Sequence, residues 1–202
     1  MIIAKITNEI VEKYPVDIRE EFPYTSFPSV ITQDSLPEGY FIVEDSEQPH
    51  SEWNERCVEL NPVSVNGTWT RRYGIETLSE LEQEARFEAK RNELKLAVAN
   101  RRKEREAAGI EVMNMQVDTD NVSQSKVLGA FVLASKNPDF TVNWKMRNNE
   151  FRTLSASEIQ VMSTAVLNHV QTCFDEEMNY QTRINAAMTM KDLLIVEAEL
   201  KQ

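Results

Sequence analysis

From Thr77 to Ala108 the chain runs without a proline or a glycine, and that uninterrupted run limits what everything around it can be. Proline removes a backbone donor and glycine is costly to order, so a long stretch free of both favours one continuous helix. Thr77-Leu78-Ser79-Glu80 reads as a capping box at its start: the Thr hydroxyl accepts from the Glu80 amide while the Glu carboxylate reaches back. Gly109 suits the left-handed residue that closes it. At 1.5 Å per residue such a helix is a rod of roughly 45 Å, longer than a small domain is wide. Its apolar stripe is thin, with Leu78, Leu81 and Ala85 in the first turns and Phe87, Leu94 and Val98 later on a rotated face. Arg86 with Lys90, Glu84 with Glu88 and Arg91 with Lys95 are like-charged i,i+4 neighbours, which weakens the helix on its own. It therefore needs support, as a spacer, as a helix packed at an interface, or as one strand of a short coiled coil.

The run divides the 202 residues into three: a β-rich docking module over 1–76, the connecting helix over 77–108, and an α+β domain over 109–202. The first module is close to the lower limit of a self-sufficient core. In it, Ile2, Ala4 and Ile6 alternate toward one face, Thr7-Asn8 turns, Ile10 and Val11 return, and Pro15 ends the hairpin. A proline-rich loop with aromatic anchors follows, then a strand over 40–43, and a strand pair at Glu59-Leu60 and Trp69–Tyr73 around Asn66-Gly67, a hairpin turn signal.

After Gly109, Ile110 and Val112 lead to a turn at Met113-Asn114, and Gln116-Val117 return. Asp118-Thr119-Asp120 supplies cap candidates for a helix over 121–135 with Val122, Val127, Ala130, Phe131 and Ala134 on its apolar side. Asn137-Pro138-Asp139 stops it. Phe140, Val142 and Trp144 alternate with polar residues, 147–149 turn, and 151–154 return as a hairpin. Ser155 and Glu158 form a second capping box for a helix carrying Ile159, Met162, Val166, Val170, Cys173 and Phe174 at helical spacing. A last helix restarts at Thr189 with Leu193, Leu194 and Val196 as its apolar patch.

Charge and composition exclude several function classes. The net charge is −11, opposite to what neutralising a phosphate backbone requires. It is unevenly placed: residues 1–76 hold 14 acidic and 6 basic side chains, 77–107 hold 7 and 8, and 108–202 hold 12 and 8, so the N-terminal module is the acidic end. The longest apolar runs, such as Leu193–Val196, are too short to span a bilayer, and Met1 leads into no signal-type segment. Synthesis in the cytoplasm with reduced thiols is the expectation, since Cys57 and Cys173 belong to no CxxC pattern.

Few residues are candidates for chemistry. His169 and Cys173 are four apart on one helix face, the spacing of a thiol–imidazole pair or half a metal site. His50 and Cys57, seven apart in a loop-like region, supply no second half, and a buried Cys with a rim His is the expected reading. Asp118, Asp120 and Asn121 resemble the start of a cation loop but lack its glycine and its bidentate Glu, so helix capping is expected. Asp175-Glu176-Glu177 point in different directions from a helix and read as a solvated face rather than paired acid and base. Arg101, Arg102, Lys103 and Arg105 form the one basic cluster, interrupted by Glu104 and Glu106, at a helix end where cations complement the dipole. There is no phosphate-cradling loop, GxSxG or HExxH. We assign no catalytic, cofactor-binding or metal-ligating residue.

Two resemblances cover most of the chain outside the charged helix. The segment KITNEIVEKYPVDIREEFPYTSFP, with Tyr14, Pro15, Arg19, Pro23, Thr25, Ser26, Phe27 and Pro28, resembles a module of tailed-bacteriophage virion proteins, continued by Val58–Tyr73 with Pro62, Gly67 and Trp69. The C-terminal half resembles a phage domain family of unassigned activity found in tail-fibre and tail-assembly proteins. Its matching residues are Gly109, Val112, Asp118, Thr119, Asp120, Ser123, Gln124, Gly129, Ala130, Trp144, Lys145, Phe151, His169, Cys173 and Phe174. Met113-Asn114 stands where members of that family often have a glycine. The resemblance implies a non-enzymatic structural protein of a phage tail, a fibre, baseplate or adaptor component located in the virion. Its partners would be other tail or baseplate proteins and further copies of itself, a trimer being one such assembly, with neither nucleic acid nor membrane. A tail-fibre assembly chaperone absent from the finished particle is the alternative, and a Cys-His hydrolase the third.

Overall fold

The computed structural model describes residues 1–147 and 149–201. The chain adopts the α+β class expected of it and divides into two compact units, Met1–Glu84 and Ala85–Gln202.

In the first unit, β1 (Ile2–Thr7) pairs antiparallel with both β2 (Ile10–Val16) and β3 (Tyr40–Val43), giving the order β2-β1-β3. The turn falls on Asn8-Glu9, both in the left-handed region, one residue later than Thr7-Asn8. Strand β2 continues through Pro15, which follows a cis peptide bond, to the buried Val16; an edge strand tolerates a proline because its amide is not needed for the ladder. The expectation of a single apolar face is also corrected. Ala4 and Ile6 pack with Val43 and Trp69, while Ile3 packs on the other side with Val16, Ile18 and Tyr40. Both faces are covered because a short helix, α1 (Ile18–Glu21), and the loop carrying Phe22, Phe27 and Ile31 fold back over the Ile3 side.

Strands β4 (Glu55–Val65) and β5 (Thr68–Thr77) form a long hairpin whose turn is Asn66-Gly67, with both residues at positive φ. It extends well beyond the short pair expected. Leu78 is buried, and its amide donates to the Asn54 carbonyl, holding the chain extended through Thr77. The capping box is accordingly displaced by two residues. The Ser79 amide and hydroxyl both donate to the Glu82 carboxylate, at 2.9 and 2.7 Å, and helix α2 (Glu80–Ala107) starts there.

The division between the units falls inside the first turns of α2, so most of that helix belongs to the second unit. The remaining elements are β6 (Ile110–Val112), β7 (Met115–Val117), α3 (Asn121–Lys136), β8 (Thr141–Lys145), β9 (Phe151–Ser155), α4 (Ala156–Ala186) and α5 (Met190–Leu200). Met113 and Asn114 form the two-residue β6–β7 turn with φ of 52° and 59°, the double left-handed geometry that matches strand twist. The hairpin thus forms without the glycine.

Helix α4 is the element on which this unit is assembled. Its N-terminal half places Ile159, Met162 and Val166 in a core with Val127, Ala130 and Ala134 of α3 and the β6–β7 and β9 residues Val112, Met115, Val117 and Leu154. Its C-terminal end places Ile184 in a second core with Leu94 and Val98 of α2 and Leu193 and Val196 of α5. The later half of the thin α2 stripe, Leu94 and Val98 with Phe87 partly buried beside them, is thereby covered within the unit, whereas Leu81 and Ala85 are exposed. Two arginines of α2 fasten the ends of the helices it touches: Arg91 donates to the Ala187 carbonyl (3.0 Å) and Arg101 to the Leu200 carbonyl (2.6 Å), where cations and donors meet otherwise unpaired carbonyls. Val122 and Leu194, expected on apolar faces, are exposed. Among the described residues, no helix is long and apolar enough to cross a membrane.

Candidate functional site

Asp118, Thr119 and Asp120 are consecutive, and the structure gives each a different task. Asp118 pairs with Arg147 at 3.0 Å. Thr119, fully buried, closes α2: its hydroxyl donates to the Glu106 carbonyl and accepts from the Gly109 amide at 2.9 Å. Gly109 itself has φ +84°, and a Cβ there would lie 2.9 Å from the Val117 carbonyl oxygen. Asp120 caps α3, accepting from the Val122 and Ser123 amides and the Ser123 hydroxyl; the Ser123 bonds, followed by that of Val122, hold its carboxyl below the usual range. The task of Thr119 is not readable locally, because its partners lie ten and thirteen residues earlier.

The same corner contains a polar cluster. Glu106, 9% exposed, accepts from Gln124 Nε2 at 3.0 Å and from Arg102. Gln124 also donates to the Thr119 carbonyl at 2.8 Å. The Gln124 hydrogen bond, ahead of that from Arg102, keeps the Glu106 carboxyl ionised to lower pH than usual, against the opposing effect of burial. Arg102 reaches on to Glu177 (2.9 Å) and lies 4.6 Å from the centroid of the Phe174 ring, while Arg105 pairs with Glu176. The basic cluster of α2 and the acidic run of α4 are therefore two sides of one interhelical seam. The acidic run is a solvated face in part: Asp175 is exposed and the Glu176 side chain 39% exposed, while Glu177 departs from that expectation and is largely buried against Arg102. Asp175 accepts from Gln171 at 2.8 Å.

His169 and Cys173 are brought together, with Sγ 3.9 Å from Nε2. The same Nε2 lies 3.0 Å from the Arg105 carbonyl oxygen. A carbonyl only accepts, so this assigns the proton to Nε2 and leaves no lone pair there to receive one from the thiol. Burial raises the Cys173 pKa, outweighing the nearby Arg105 and Arg102, which disfavours the thiolate a nucleophile or metal ligand requires. The geometry is that of a packed thiol beside a positioned imidazole. Among the described residues, no group of three or more His, Cys, Asp or Glu could hold a metal ion. His50 and Cys57 lie in the other unit.

On the flank of α4 away from the seam lies a feature that sequence reasoning missed. A groove of about 540 Å³ runs between α3 and α4, lined by Asn121, Gln124, Ser125, Val127, Leu128 and Phe131 from one helix and by Ser163, Thr164, Val166, Leu167 and Val170 from the other. Val127 and Val166 are its buried floor. Leu128 and Leu167, 61% and 66% exposed, are its rims. None of the lining side chains is charged. The sequence signal was present in Leu128 and Leu167, apolar residues outside the core stripe of each helix, but periodicity alone does not show two such residues facing one hollow.

What the arrangement can do chemically is bind an apolar surface. Among the described residues the groove lining contains no Asp, Glu, His, Cys, Lys or Arg. Comparison with curated proteins and with solved structures gives no match in either case. Residues 88–199 match the family DUF4376, described as a domain of unknown function; the matched span takes in both helical flanks of α4, the seam and the groove, and more than half of the chain. The protein thus belongs to DUF4376, a family of phage-associated proteins.

Proposed function

We propose that the protein is a non-enzymatic structural component of a bacteriophage tail, acting through protein–protein contacts. The observation that carries this reading is the uncharged groove between α3 and α4, with exposed leucines on both rims. Contiguous exposed apolar surface of this kind marks interaction sites. Most of the titratable side chains singled out in the same unit are engaged in ion pairs and helix caps, although Arg101, Arg105, Asp175 and Glu176 also line a second hollow of about 480 Å³. The Asp-Thr-Asp string caps two helices, the Arg and Glu runs pair with each other, and Cys173 is a buried thiol. The phage association of the family and the resemblance of the Tyr14–Pro28 segment to virion modules support a virion location.

The test is direct. Purified phage particles are separated and analysed by mass spectrometry for this chain. Stoichiometric presence supports a tail component; absence from particles, with the chain still required for assembly, replaces this reading with an assembly chaperone. Cys173→Ser serves as a control on the non-enzymatic reading, and infectivity should be unchanged.

A further inference from the structure

Among the described residues, strand β8 pairs with β9 alone, so one of its two edges is open. At the hairpin end the Met146 amide donates to the Glu150 carbonyl at 2.8 Å. Bonded and non-bonded pairs alternate along an antiparallel ladder. Trp144 with Arg152 and Val142 with Leu154 are therefore the pairs bonded across the sheet, and the amides and carbonyls of Thr141, Asn143 and Lys145 point to the open edge. A hollow of about 680 Å³ lies between this strand and α3. Phe140 and residues 142–147 line it in near-unbroken succession, and no residue of β9 does. Successive strand residues face opposite sides of a sheet, so a hollow that touches both sets follows the open edge rather than either face.

The α3 wall adds two features. Gly129 lines the hollow, and a Cβ there would meet nothing within 4 Å. Glycine inside a helix is destabilising relative to alanine, and bare backbone allows another chain to approach closely; no packing within the unit calls for it. The charge of the lining is also one-sided, with Lys126, Lys145 and Arg147 against the single carboxylate of Asp118. Arg147 is paired with Asp118. Among the described residues, Lys126 and Lys145 enter no ion pair, and both are exposed.

We propose that this hollow takes an extended acidic segment of a partner polypeptide, which adds to the open edge of β8 as a third strand. Strand addition takes its affinity from main-chain hydrogen bonds and its specificity from the sites that receive alternate side chains. Here the outward amides and carbonyls of residues 141, 143 and 145 supply the ladder. One set of added side chains would lie beside Leu133, Phe140 and Trp144, the other on the side of Lys145. Exposed lysine is a common guard against indiscriminate pairing at an open edge, and a strand bearing carboxylates converts it into a contact. A nucleic-acid backbone would use the cations but would meet the outward carbonyls as repulsive neighbours. The inference goes beyond the α3–α4 groove and needs neither that groove nor the tail assignment.

The experiment is fluorescence anisotropy on the full chain, with a labelled peptide that alternates Val and Glu over the length of β8. Saturable binding is expected. The same peptide with Lys for Glu, and the Glu peptide N-methylated throughout so that no amide can donate, should each bind at least tenfold more weakly, a difference of about 1.4 kcal/mol. Lys145→Glu, at an exposed position, should keep its circular dichroism and weaken binding to a similar degree. Lys103→Glu makes the same charge change at an exposed α2 position outside the hollow and should leave binding unchanged. Gly129→Leu puts a side chain into the hollow and a better helix former into α3, so binding should be lost without loss of thermal stability. No saturation by about 1 mM, the weak end of specific affinity, would overturn the proposal. So would undiminished binding of the N-methylated peptide, equal weakening by Lys103→Glu, or tighter binding of a labelled oligothymidylate. A chain that self-associates through Lys145 and takes no peptide would give the edge to a second copy and overturn it too. Particle composition tests the tail assignment separately, and neither result alters the other.

Discussion

Helix α4 has two flanks of opposite character. Toward α2 it presents Glu176 and Glu177, each paired with an arginine, together with His169 and Cys173. Toward α3 it presents Thr164, Leu167 and Val170, with no charge at all. The charged flank is bridged by ion pairs, with a hollow of about 480 Å³ beside them lined by Arg101, Arg105, Asp175 and Glu176, whereas the groove on the uncharged flank is crossed by no ion pair. The reason is reciprocity. Arginines and glutamates that are satisfied by each other inside a chain specify one arrangement of two helices, whereas an apolar hollow remains available to another surface. Residues with chemical potential thus serve structure, and the chemically plain ones are left for contact.

The largest expected effect comes from the face that both flanks share. Met162 is fully buried in the α3–α4 core, and Met162→Ala should cost about 2–5 kcal/mol, read by urea denaturation of the full chain. Breaking the charged flank should come next. Arg102→Met removes the cation between Glu106 and Glu177 and leaves two partly buried carboxylates facing each other, at a cost of about 3 kcal/mol. A loss below about 0.5 kcal/mol, the level of an ordinary surface substitution, would show that the seam is not structural.

The seam should also carry a pH signature. The Glu106 carboxyl is held below the usual range, first by Gln124 and then by Arg102. A depressed carboxylate contributes stability above its unfolded value, about 4.3, and loses it as pH falls through the lower folded value. Denaturation midpoints should therefore fall below about pH 4.3, and Glu106→Gln, less stable at neutral pH, should show a shallower acid decline. An unchanged slope would place the acid sensitivity elsewhere, for instance in Asp120 or Asp192, whose capping carboxyls are also depressed. The smallest effect on folding is expected on the uncharged flank: Leu128→Ser should shift stability by no more than about 0.5 kcal/mol. A large folding loss there would mean that the groove is part of the core, and the contrast between the flanks would fail.

The caps of the last three helices were legible as sequence. Asp120, Ser155 and Thr189 each bond to groups two or three residues ahead, and such bonds close within the segment that encodes them. The first cap was misplaced because its position is set from outside the segment: the Leu78 amide is bound to Asn54, which extends β5 and moves the box from Thr77 to Ser79. Val122 was placed on the wrong face for a related reason. Apolar residues surround much of α3, and the choice among its faces is made by α4 and the β6–β7 hairpin.

Chain order alone determined the α+β class, the proline- and glycine-free helix, the Gly109 stop, the hairpin turns at Asn66-Gly67 and Met113-Asn114, and the resemblance to phage proteins. These depend on backbone preferences and hydrogen bonds that act over a few residues. Tertiary structure alone decided that the arginines of α2 meet the glutamates of α4, that Thr119 closes a helix it follows, and that Leu128 and Leu167 border one groove. Those pairings join residues ten to seventy-five positions apart. Many folds are compatible with the same local signals, and only burial of the α4 cores brings these particular side chains within reach of one another.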